Sequence, residues 1–157
     1  MRALKLIEFV YLFSYVIISS QLIYYLLVMS DALKLISIDN FMELRQAIDP
    51  IFKKRLSFVY YACLGLNMVL LVMRRGELFS ISYVALIVAF LCLVADLVIA
   101  VKGNIPVNNH IANYFRGSIE YNWQALRKDW LNYITWRGIA NFIGMLSLIV
   151  GMLAAKK

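Results

Sequence analysis

Five residues near the C-terminal end, Trp130, Tyr133, Arg137, Asn141 and Gly144, recur at intervals of three or four positions, so a helix there would carry them on one face. The surrounding stretch is strongly apolar, and an arginine at such depth costs about 2.5–3.5 kcal/mol on insertion scales. Arg137 must therefore point inward, to a partner or to water. Asp96 is the matching carboxylate. It stands shortly before the end of the preceding apolar stretch, as Arg137 stands shortly after the start of its own, so at about 1.5 Å per residue their depths coincide. Gln21, Asn67 and Asn141 are assigned to the same half of the bilayer, which predicts a polar cavity inside an apolar bundle. The same groups could instead hydrogen-bond one another and hold the helices together.

The only histidine, His110, lies in Pro106-Val107-Asn108-Asn109-His110, at the expected mouth of that cavity. Its side chain suits proton transfer near neutrality, although a lone loop histidine is more often solvated or structural. One histidine does not build a zinc, iron or dihaem site. Glu43, Asp49 and Asp96 show no metal-ligand spacing, so no metal and no cofactor is expected. A glycine-rich phosphate loop, GxSxG and CxxC are all missing, which disfavours nucleotide-driven pumping, serine hydrolysis and thiol redox chemistry. Cys63 and Cys92 fall inside apolar stretches and read as packing residues.

The elements that must position these groups are set by composition. The chain has 157 residues and is 63% hydrophobic, against roughly 45–50% in soluble domains. Apolar windows at about 6–29, 78–101 and 130–154, with a shorter one at 56–73, are long enough to cross about 30 Å of hydrocarbon. The expectation is an all-α, integral membrane four-helix bundle forming one domain over 1–157, with no separate soluble unit. The first window follows a basic start, but it is too long for a signal peptide and lacks a cleavage motif, so it is kept as a span.

Both long connections carry amphipathic helices. In the first, Asp39 or Asn40 can cap a helix, Glu43 stands at the capping-box position relative to Asn40, and Phe41, Leu44 and Ile48 recur at helical spacing. That helix should stop before Pro50 and lie on the membrane surface or fold over the bundle mouth. In the second, Phe115, Ile119, Trp123, Leu126 and Trp130 lead into the last span, with Trp130 at headgroup level. Gly103 and Pro106 should end the third span. Ser82, Ala85, Ala89, Cys92, Ala100 and Gly103 form a stripe of small residues that admits a close neighbour.

The formal charge of +7 does not point to nucleic acid, because the basic residues sit at span ends. Arg2, Lys5, Arg74, Arg75, Lys156 and Lys157 crowd the short-turn side, which places both termini in the cytoplasm and the chain in the inner, cytoplasmic membrane.

The run Asn104-Ile105-Pro106-Val107-Asn108-Asn109-His110, followed by Trp130, Trp136-Arg137 and Asn141, resembles the anthrone oxygenase-like family of small four-span membrane proteins. Span count and loop pattern extend the likeness loosely over the whole chain. The resemblance implies a four-helix bundle and, as in fungal members, oxidation of an anthrone methylene to a quinone by dioxygen without an obvious bound cofactor; many bacterial members have no known function. It implies His110 as base, with Asn104, Asn108, Asn109, Arg137 and Asn141 as polar anchors and Trp130 and Trp136 as flat walls.

Three functions remain open from the sequence. The first is a membrane-embedded oxygenase or redox enzyme acting on a small aromatic or quinone-like substrate. The second is a non-enzymatic protein that binds a lipid or hydrophobic ligand, or is a subunit of a membrane assembly. The third is an oligomeric channel or transporter gathering Asp96 and Arg137 around its axis.

Overall fold

The computed structural model describes residues 2–113 and 122–154. Among them every regular element is helical. Helix α1 (Arg2–Tyr24) runs through a π-helical turn, Tyr25–Met29, into α2 (Ser30–Leu35). After a brief break comes α3 (Ile38–Met73), and a 3₁₀ turn at Arg75–Glu77 leads to α4 (Ile81–Ile99). A second π-helical turn, Ala100–Asn104, joins α4 to α5 (Ile105–Ala112), and α6 (Trp123–Ala154) completes the order. The four rods α1–α2, α3, α4–α5 and α6 are each long and apolar enough to cross a membrane. In hydrocarbon every backbone amide must find its partner within its own segment, which is why such runs fold as helices. The chain is an all-α four-helix bundle and fits an integral membrane protein.

Side-chain size sorts the faces. Phe9, Phe13, Leu27, Phe58 and Val72 are more than half exposed and form the outer apolar surface. Tyr11, Tyr15, Ile18 and Leu22, one turn apart along α1, are buried against the other helices. The closest approach is between α4 and α6, where the small-residue stripe lies. The Ser82 hydroxyl donates to the Gly151 carbonyl at 2.8 Å and the Ser147 hydroxyl to the Ala85 carbonyl at 3.2 Å. The Tyr133 ring lies against Gly103, leaving no room for a β-carbon there.

The element boundaries differ from the expected ones in several places. Residue Ser37 caps α3, its hydroxyl accepting from the Asn40 amide at 3.3 Å, so the helix starts earlier than a cap at Asp39 or Asn40 would allow. Helix α3 also passes through Pro50 without ending. Proline costs one N–H bond, but here it stands on an exposed position, while Phe41, Met42 and Arg45 in the preceding turns are buried in the bundle and hold that part of the helix in line. The expected helix is therefore not separate but forms the first turns of α3, with Phe41, Met42 and Arg45 packed over the bundle mouth. Likewise Gly103 and Pro106 do not terminate the third rod. The π-helical turn absorbs the glycine, and Pro106 falls in the first turn of α5, where its missing N–H is tolerated. Trp130 turns inward and is 1% exposed. Trp123 and Leu126 belong to α6, while Phe115 and Ile119 lie outside the described residues.

Candidate functional site

The charge pair expected from depth alone is present. Arg137 of α6 donates from Nε to Asp96 Oδ1 of α4 at 2.5 Å. Two further groups complete it. The Tyr60 hydroxyl of α3 donates to Asp96 Oδ2, and Arg137 directs its terminal nitrogens to the Tyr60 hydroxyl and to Asn104 Oδ1, each at 3.3 Å. Asp96 is wholly buried, and each of its oxygens has a donor. Three rods thus converge on one carboxylate, which is how a charge becomes tolerable in a low-dielectric interior.

A second cluster lies on the long-loop side. Arg45 of α3 is 6% exposed; it donates to Asp49 one turn on and to the Tyr25 hydroxyl at 3.2 Å. Its guanidinium stacks over the Trp130 ring, 4.1 Å from the centroid. Trp130 Nε1 donates to Asn108 Oδ1 at 2.8 Å, and the rings of Tyr25 and Phe41 meet Trp130 edge-on. Both π-helical turns contribute here, one supplying Tyr25 and the other Asn104. Such turns add a residue to the helical repeat and recur at functional sites.

Between the clusters is a cavity of about 610 Å³. Its inner wall carries Tyr25, Arg45, Tyr60, Trp130 and Arg137. It opens between α3 and α4–α5: Tyr61, Val101 and Ile105 line it and are also 73%, 59% and 48% exposed on the apolar outer surface. The two rods are tied together above and below this slit. Gln46 Nε2 donates to the Ile111 carbonyl at 2.8 Å on one side, and Tyr60 meets Asp96 on the other. Two buried polar atoms of the lining residues, Arg45 Nε and Gln21 Oε1, have no hydrogen-bond partner.

Six of the candidate site residues named from the sequence line this cavity: Gln21, Asn104, Asn108, Asn109, Trp130 and Arg137. Asp96 stands behind Tyr60 and Arg137, outside the lining. His110 does not line it either. It follows Asn108 by two positions, about 200° around the helix, so the face that turns Asn108 to the cavity turns His110 away. Asn67 is in the other half of the bundle from the one expected, donating to the Tyr11 hydroxyl and to the Leu86 carbonyl near the short turn. Asn141 donates to the Arg137 carbonyl at 3.0 Å and lies beyond the cavity. Trp136 is 56% exposed on the outer surface, as the neighbour of an inward Arg137 must be. Arg45 and Asp49 were not anticipated as a pair, although their four-residue spacing on the face that carries Phe41 is the available signal.

No group of three or more histidine, cysteine or acidic side chains is placed to hold a metal ion among the described residues. No protein-family profile, curated protein or solved structure matches the chain.

Proposed function

We propose that the chain is an integral membrane protein that draws a small amphiphilic molecule from the bilayer into the cavity between α3 and α4–α5. The observation that carries this reading is the slit: a cavity with arginine, tyrosine and asparagine on its inner wall meets the outer apolar surface at Tyr61, Val101 and Ile105. A volume of about 610 Å³ falls within the roughly 300–1,000 Å³ usual for small-molecule sites. Ligands of this kind partition into lipid first, so an entrance at the side suits them better than one from water.

Native mass spectrometry of protein extracted gently from its own membranes tests the reading. The wild type should release about one small amphiphile per chain. A Ser57→Trp variant, which puts an indole into the slit from α3, should be folded and empty. Wild-type protein carrying only variable bulk phospholipid would overturn the proposal.

A second reading, turnover of the ligand as an aromatic oxygenase, draws on the resemblance to the anthrone oxygenase-like family. It is favoured by one observation: Asn104, Asn108, Asn109, Trp130 and Arg137 of that resemblance share the cavity. The position of His110 gives it no support. The expected result is dioxygen uptake dependent on an added hydroxyanthrone and diminished several-fold in Asn109→Ala. Uptake no greater than the detergent blank would rule out turnover of that substrate and leave binding as the function.

A further inference from the structure

The charges around the cavity do not cancel. Arg45 is answered by Asp49 and Arg137 by Asp96. Lys53, the remaining cation of the lining, has no carboxylate within ion-pair distance of its ammonium among the described residues. It lies one turn after Asp49 on α3, beside the slit, at the head of the basic run Lys53-Lys54-Arg55. Such a run marks the level of the lipid headgroups, where long basic side chains reach water along apolar stems. A second donor is also unanswered: Arg45 Nε is buried in the same wall without an acceptor, on a residue 94% removed from solvent by its 6% exposure.

We propose that the cavity selects an anionic amphiphile, with a carboxylate or phosphate held at the slit by Lys53 while the apolar body enters between α3 and α4–α5. This rests on the ligand-binding reading above and adds the charge of the ligand to it. The depth of Lys53 lets the anion remain among the headgroups, so entry strips water from the apolar part alone. An anion with several acceptor oxygens also offers a partner to the Arg45 Nε donor. Lys53 itself is exposed, so the pairing draws its strength from a charge-assisted contact made together with the buried Arg45 rather than from Lys53 alone.

The test is a titration of the full chain in neutral detergent, read by tryptophan fluorescence, with two matched pairs: palmitate against hexadecanol, and palmitoyl lysophosphatidate against monopalmitoylglycerol. In at least one pair the anion should bind roughly tenfold more tightly than its neutral partner. Lys53→Gln should abolish that preference and leave the neutral affinity as it was. Lys54→Gln, one residue further and absent from the lining, should leave the preference intact. Preference within the palmitate pair alone supports a free fatty acid as the source of the anion, and within the phosphate pair alone a lipid headgroup. Equal binding of anion and neutral partner, or equal loss in the two lysine variants, overturns the anionic selection while the binding reading stands. Binding of none of the four overturns both.

Discussion

Arg137→Met should destabilise the detergent-solubilised protein by about 3–5 kcal/mol, and adding Asp96→Leu to it should restore most of that loss. Removing the arginine leaves a wholly buried carboxylate with Tyr60 as its remaining recorded side-chain donor. The penalty is then chiefly that of a charge held away from water without its counter-ion. Removing both members replaces the pair with apolar volume, which buried ion pairs commonly tolerate. The restoration should be incomplete, because Arg137 also donates to Asn104 and to the Tyr60 hydroxyl, and those acceptors line the cavity. Equilibrium unfolding of the wild type, both single variants and the double variant closes the cycle. Equal losses in the Arg137→Met single and the double variant would mean that the two charges do not meet.

That pair was legible in the sequence because hydrocarbon leaves a charge few alternatives. Once Asp96 and Arg137 are placed on adjacent antiparallel spans, depth arithmetic brings them together without knowledge of any other contact. The groups that complete the cluster were harder to see. Tyr60 stands one helix away, and its reach to Asp96 depends on how α3 leans on α4. Asn104 depends on the π-helical turn, which composition does not announce.

Arg45 shows a different difficulty. In a polar connection an arginine is expected on the solvent side, and the rule that helices stop before proline detached its segment from the bundle. Because α3 continues through Pro50, the amphipathic face of residues 38–49 becomes part of the second rod, and Arg45 is carried over Trp130. His110 sits on a helix rather than in a loop for the matching reason. A chain broken at Gly103 and Pro106 would have hung it at the cavity mouth, whereas a helix continuing as α5 assigns it by angle to another face. Both differences come from local breaker rules overridden by packing of the turns on either side.

Gly144→Ala should cost about 2–3 kcal/mol, although an alanine in an open helix would be preferred to glycine by about 0.5–1 kcal/mol. At Gly144 three helices meet. A β-carbon there would run into the Tyr15 hydroxyl of α1 and would lie 3.0 Å from the Cys92 β-carbon of α4. Tyr15 is wholly buried, and its hydroxyl is directed to the Ala89 carbonyl at 3.4 Å, so the ring has little freedom to withdraw. The nearest obstruction is the hydroxyl oxygen, with the ring carbon that bears it next at 2.8 Å, so removing the oxygen relieves the worst of the overlap but not all of it. Tyr15→Phe alone should cost about 1 kcal/mol for a long, weak hydrogen bond. Combined with Gly144→Ala it should recover part of the loss, so the double variant is more stable than the sum of the singles predicts. Thermal unfolding of the four proteins in one detergent measures the coupling. Strict additivity would show that α1 and α6 are not in contact at this level of the bundle.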